Sequence, residues 1–239
     1  MDAVRKGRIA AAFDQIATLA VIAAASLVIW RFASDSFVWR SRAAVPAAAI
    51  KLPTSPLSLD SAKLRGSATA PVVLLVFSEF ECPFCRKMVQ DVLPTLEKEY
   101  VASGRVLLAF RHLPLISIHA NAMPAAIASE CASSRGRFWD FHDRLFGSPE
   151  KLGSVAIALA WADIGFPDGE LDKCSQSDAA RRQVDADMRE AERLGVTGTP
   201  TSFIGRRVLG GEVAIEAGLW GAQPIARFRE VLDTALKQK

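Results

Sequence analysis

The most constraining stretch of this chain is PVVLLVFSEFECPFCRK, residues 71–87, in which an apolar run leads directly into two cysteines three positions apart. The β-branched run at 71–77 fits a strand buried on both faces. Beyond the cysteines, Cys85, Met88, Val89, Val92 and Leu96 recur at spacings of three and four, so an amphipathic helix follows. Pro83 stands in its first turn, where a missing N–H costs nothing, and Pro94 is expected to kink or interrupt it. A strand feeding a helix in this way leaves the first sulfur among unpaired backbone N–H groups, at the positive end of the helix dipole. Both favour thiolate over thiol, so Cys82 is expected to be acidic, exposed and reactive, with Cys85 shielded one turn inside.

Three readings of the pair compete. A structural disulfide needs neither the strand-to-helix setting nor a proline between the cysteines. A zinc site needs four ligands, yet Cys131 and Cys174 stand alone, with no second C-x-x-C and no H-x-x-x-H pair. A redox dithiol fits the setting, and no metal or other cofactor is expected. His112, His119 and His142 share no motif with Cys82 and read as structural.

The remaining pattern completes an α/β order. RVLLAFRHLP (105–114) reads as a second strand. The section at about 119–194 is helical by pattern, with candidate helices in AMPAAIASECA, RFWDFHDRLFG, KLGSVAIALAWADIG and SDAARRQVDADMREAERLG. Phe138, Trp139, Phe141 and Leu145 form an aromatic stripe that reads as core. TSFI and RVLG are expected to be strands joined across Gly205-Arg206, and Pro224 opens a closing helix. Thr199-Pro200, in TGTPT at the entry to a strand, suits a tight turn. A cis proline facing the dithiol would expose the Thr199 backbone to an extended substrate peptide.

Ahead of this domain, residues 1–8 form a basic tail with Arg5, Lys6 and Arg8, and residues 9–32 are apolar apart from Asp14, Gln15 and Arg31. The length suffices to span a bilayer, and no small-residue cleavage pattern ends it, so an uncleaved signal anchor is expected over a cleaved signal peptide or a buried helix. Arg31, Arg40 and Arg42 nearly balance the N-terminal charges, so orientation rests on the even set of four cysteines, which belongs on an oxidising side. Residues 33–70, rich in Ala, Pro and Ser, read as a tether reaching ~30 Å by flexible-coil scaling. The net charge is only +3 with Lys and Arg dispersed, which argues against nucleic-acid binding.

FSEFECPFC, RHLPL, ECASSRGRFWDFHDRLF and GVTGTPTSFIGRR, in this order, resemble the DsbA-like branch of the thioredoxin superfamily across 71–239. The resemblance implies a thioredoxin fold with a helical insertion and protein disulfide oxidoreductase activity in the cell envelope. Cys82 then matches the nucleophile, Cys85 the resolving cysteine and Pro200 the cis proline, with Thr199, Pro83 and Phe84 at the substrate. It also implies a structural disulfide between Cys131 and Cys174, the alternative being two buried thiols. A domain facing the periplasm from the bacterial inner membrane would act on thiols of exported proteins and be reoxidised by a quinone-linked membrane partner. A reductase or isomerase, or a redox-inactive tethered binding or chaperone module, are the alternatives. One departure stands out: many relatives place a buried acid six residues before the first active cysteine, and here that residue is Val76. Glu79 and Glu81 are expected to face solvent. Without that acid, or a histidine between the cysteines, Cys82 is expected to be less acidic than in the family's strongest oxidants.

Overall fold

Strand β2 (Val72–Ser78) is buried along its whole length because both of its faces are covered. Alternate residues of a strand point to opposite faces. Val72, Leu74 and Val76 pack with Met88, Leu96, Phe228 and Leu232, while Val73, Leu75 and Phe77 pack with Leu107, Ala191 and Phe203. This computed structural model describes residues 23–27, 30–31, 52–148, 151–167, 169–208 and 210–238.

Five strands form one sheet in the order β1-β3-β2-β4-β5. β3 (Val106–His112) runs parallel to β2, and β4 (Thr201–Arg207) lies antiparallel on its other side. β5 (Val213–Trp220) pairs with β4, and the short β1 (Lys63–Arg65) edges β3. Between β2 and β3 lies α1 (Pro83–Asp91), followed by α2 (Leu93–Leu96) and a π-helical turn, Glu97–Val101. The break between α1 and α2 falls where Pro94 lacks an N–H and its ring crowds the carbonyl four residues back. The insertion between β3 and β4 comprises α3 (Ala122–Ser133), α4 (Phe138–Gly147), α5 (Ser154–Asp163), α6 (Glu170–Ser175) and α7 (Asp178–Arg193). Helix α8 (Ile225–Lys237) closes the chain's described part. This is the α/β thioredoxin fold with a helical insertion, and Phe138, Phe141 and Leu145 of the aromatic stripe lie in its core.

Two expectations need correction. The ordered domain begins before residue 71: Leu57 is 1% exposed and exchanges two 2.8 Å backbone hydrogen bonds with Val213, and β1 pairs with β3. Leu57 and Lys63–Arg65 are thus paired to the sheet rather than part of a tether. The apolar residues of 57–70 are too sparse to show a period, yet Leu57, Leu59, Ala62 and Ala70 join one core cluster. Secondly, β4 continues through Gly205-Arg206 to Arg207, and beyond it the Val208 N–H donates to the Glu212 carbonyl at 2.9 Å. Gly205 marks a bulge: a Cβ there would lie 2.2 Å from the Ala214 carbonyl oxygen. The glycine serves close strand approach instead of a turn.

A buried ionic network fastens the insertion to the sheet. Arg111 pairs with Asp187 at 2.7 Å and donates to the carbonyls of Ser58 and Asp60, while the His112 N–H donates to Asp187 at 3.0 Å. Glu130 takes Lys63 and His112, each at 3.0 Å. His112, Glu130 and Asp187 lie close enough together to suggest a cation site, but Lys63 and Arg111 already supply the positive charge there.

The basic tail, most of the expected anchor at 9–32 and the part of the expected tether at 33–51 lie outside the described residues. Residues 23–27 and 30–31 are helical, and among the described residues no helix is long and apolar enough to cross a membrane.

Candidate active site

Both cysteines sit where β2 ends and α1 begins. Cys82 is the N-cap residue of α1, in extended conformation, and Pro83 occupies the first turn as expected. The backbone N–H groups of Phe84 and Cys85, orphaned at the helix start, favour negative charge on the Cys82 sulfur. Its strongest stabilisation is a hydrogen bond with the Cys85 thiol; with Thr199 and the backbone N–H groups, this outweighs burial and holds the Cys82 pKa at about 5. Burial comes first for Cys85, and the neighbouring Cys82 charge adds to it, pushing its thiol well above the ordinary range; Ser78 and the Glu79 N–H offset this in part. The two sulfurs are thus one acidic thiol and one strongly held proton.

Cys82 is only 3% exposed, against the expectation of an open sulfur. The cause is the loop opposite: the Thr199-Pro200 peptide is cis, as expected, and the Thr199 carbonyl lies 3.4 Å from the Cys82 sulfur, accepting from it when it is protonated. Pro83 and Phe84 are exposed beside it, Phe84 by 61%. Cys131 and Cys174 form a disulfide that ties α6 to α3.

Two residues escaped the sequence reading. Glu79, expected to face solvent, is 1% exposed. One carboxylate oxygen pairs with His119 Nδ1 and the other accepts the Glu81 N–H at 2.7 Å. His119, read as structural, is the partner of this buried acid. Glu81 in turn holds the start of α3, accepting from the Asn121 N–H at 2.7 Å and its side-chain amide at 3.1 Å. A signal existed: a strand apolar on both faces is covered on both faces, so an acid just past its end comes inside. Val76 lines a cavity of about 20 Å³ with Ser78, Cys85 and His142, so no carboxylate stands behind the resolving sulfur from that position.

Fold and site together define a thioredoxin-type domain with a dithiol competent for disulfide exchange. The chain belongs to the thioredoxin family, whose model matches residues 60–218, and its helical insertion is of the DsbA type. The structure is similar to that of alpha-DsbA1 from Wolbachia pipientis, at TM-score 0.67 and 23% identity, covering 75% of this chain and 93% of that one. It is also similar to BdbD from Bacillus subtilis, at TM-score 0.66 and 19% identity, covering 79% and 100%. The chain is 33% identical over 165 residues to the Na(+)/H(+) antiporter NhaA 3 of Salinispora tropica, covering 68% of this chain and 24% of that protein. It thus spans about a quarter of the length of the antiporters it matches. It is 28% identical over 150 residues to the probable disulfide bond formation protein D of Bacillus cereus, covering 58% of this chain and 68% of that protein.

Proposed function

We propose that this protein is a thiol–disulfide oxidoreductase that donates a Cys82–Cys85 disulfide to thiols of exported proteins, and that residues 9–32 anchor it to the bacterial inner membrane with the domain facing the periplasm. The observation that carries the chemistry is the split between the two sulfurs, Cys82 acidic at the helix mouth and Cys85 buried with its proton held. A substrate thiolate attacks the Cys82 sulfur, the S–S bond breaks, and Cys85 leaves with the electron pair and takes up a proton. A second substrate thiolate then attacks the substrate sulfur of the mixed disulfide and expels Cys82, whose low pKa makes it a good leaving group. Two electrons pass from substrate to enzyme, so a membrane partner, quinone-linked by family resemblance, must take them on. The Thr199 carbonyl faces the Cys82 sulfur, and Thr199 with the cis Pro200 would align an extended substrate there, with Pro83 and Phe84 exposed at its flank.

The donor direction follows from energetics. A stabilised thiolate favours the reduced enzyme, and an enzyme more stable when reduced is an oxidant. The name of the Bacillus cereus relative supports this reading over the reductase, isomerase or binding-module alternatives. In cells, Cys85→Ser accumulates mixed disulfides with envelope proteins, and Cys82→Ser abolishes exchange. Absence of any trapped species from Cys85→Ser overturns the oxidoreductase reading.

A further inference from the structure

The loop over the nucleophile has little of its own to hold it. Residues 197–199 lie between α7 and β4, part-buried or exposed, and Gly198 has no side chain to anchor. Two hydrogen bonds tie the loop to the sheet: Thr201 Oγ1 donates to the Gly198 carbonyl at 2.7 Å, and the Gly221 N–H donates to the Pro200 carbonyl at 2.8 Å. A third support comes from Trp220, at the end of β5 and directly opposite Thr201. Residues opposed across two antiparallel strands project from the same face, so the indole stands beside the loop. A Cβ added to Gly198 would lie 2.6 Å from Trp220 Cζ2 and 3.0 Å from Cη2, so the ring rests directly on the glycine backbone. The Gln223 side-chain amide donates to the Trp220 carbonyl at 2.6 Å and fixes the end of the strand. Phe77 and Phe203 are fully buried in the sheet's core, whereas Trp220 is 38% exposed. What its indole covers is the active-site loop.

We propose that Trp220 is a positioning residue: its indole, seated on Gly198, holds Thr199 over the Cys82 sulfur and so sets both the cover of that sulfur and the backbone edge offered to a substrate. The path is one residue long. Gly198 lies against the ring, and the next carbonyl, that of Thr199, stands 3.4 Å from the sulfur. This cover leaves Cys82 only 3% exposed. Glycine is required at 198 for the close approach, because any side chain there displaces the ring, which is already part exposed and can swing outward. The substrate half of the inference rests on the oxidoreductase reading above; the cover of Cys82 does not.

The test compares the full-length protein in four forms: wild type, Trp220→Ala, Gly198→Ala and the double variant. Gly198 is not among the glycines with a positive φ, so Gly198→Ala acts through the indole and not through the backbone. Removing the contact from either side frees the loop. Iodoacetamide then alkylates reduced Cys82 at least ~2-fold faster on the pH plateau, because the sulfur is less covered. For the oxidised protein and an extended dithiol peptide, KM rises at least ~2-fold with a smaller change in kcat, because the aligned edge is lost; this is the lower end of coupling between touching residues. The double variant changes no more than either single one, since one contact is lost only once, whereas two unrelated losses of packing multiply. A merely structural role would not make the small reagent faster and the peptide weaker by the same step in both variants. Either quantity unmoved in either single variant, or effects that multiply in the double variant, overturn the proposal. The oxidoreductase reading fails separately, through loss of trapping by Cys85→Ser, and the alkylation comparison survives that failure.

Discussion

Alkylation of Cys82 as a function of pH tests the thiolate directly, and the rate at neutral pH is the wrong quantity to measure. With a pKa of about 5, Cys82 is nearly all thiolate at pH 7. An ordinary thiol near 8.5 is only ~3% ionised there, so the population advantage is roughly 30-fold. A less basic thiolate is also a weaker nucleophile: a Brønsted slope of about 0.4–0.5 over some 3.5 units removes roughly 25- to 55-fold. The two effects cancel at pH 7. At pH 5 they do not, because half of Cys82 is ionised against roughly 0.03% of an ordinary thiol, which leaves Cys82 ahead by roughly 30- to 60-fold after the same penalty. The partial cover by Thr199 scales every rate alike and leaves the midpoint unchanged. The expected profile of the reduced protein rises to half its plateau near pH 5 and is flat from about pH 6.5 to 8. Cys85, fully buried and with its pKa raised, adds nothing in this range. A rate that still climbs tenfold per unit between pH 6 and 8 would refute the helix-mouth account of the site. The same shift appears in stability. A folded-state pKa below the unfolded value gives stabilisation that is fully present above the unfolded pKa and is lost as pH falls through about 5. The oxidised protein has no thiolate and lacks this slope. The excess of the reduced over the oxidised Tm therefore shrinks from pH 8 to pH 5, whereas above about 8.5 the raised pKa of Cys85 works in the opposite sense.

Two further outcomes are expected. Replacing Cys131 and Cys174 together by Ala opens a loop spanning 43 residues, and the chain-entropy model assigns that closure about 4 kcal/mol; thermal or denaturant unfolding should show a loss of this order while the Cys82 alkylation midpoint stays in place, and a moved midpoint would link this disulfide to the active dithiol. Carbonate extraction of membranes should leave the full-length chain in the pellet, and release into the supernatant would remove the proposed anchor at 9–32.

What could be read from residues alone was whatever rests on a strong local period or a motif. The run at 72–77 announces a strand covered on both faces, and the helical periods behind Cys85 and through 178–193 place their helices to within a few residues. Cys82 at the N-cap follows from the same local logic. Edges were harder. Lys63–Arg65 has no apolar alternation because its order comes from pairing with β3 and from the carbonyls of Ser58 and Asp60 taken by Arg111, both long-range. Gly205-Arg206 looked like a turn because the sequence does not say which strand passes within van der Waals range of a glycine; Ala214 does. The exposure of Cys82 was misjudged for the same reason, since the cover arrives from Thr199, 117 residues later. Glu79 and His119 are 40 residues apart and meet only because the β3–α3 loop folds back over the end of β2.

The position of the acid changes what it can do to the dithiol. A carboxylate at residue 76 would share the small cavity behind Cys85 and could accept the proton of the resolving thiol. Val76 leaves that cavity lined only by Ser78 and His142 among polar side chains, and burial keeps His142 below its usual pKa. The buried acid of this chain is Glu79 instead, whose pKa is raised by burial first and by the Cys82 charge as well. The acidity of Cys82 is then a balance: the Cys85 thiol, Thr199 and two backbone N–H groups pull its pKa down, while burial pushes it up. The Cys85 proton, with no carboxylate behind it at residue 76, is held by burial first and by the neighbouring Cys82 charge.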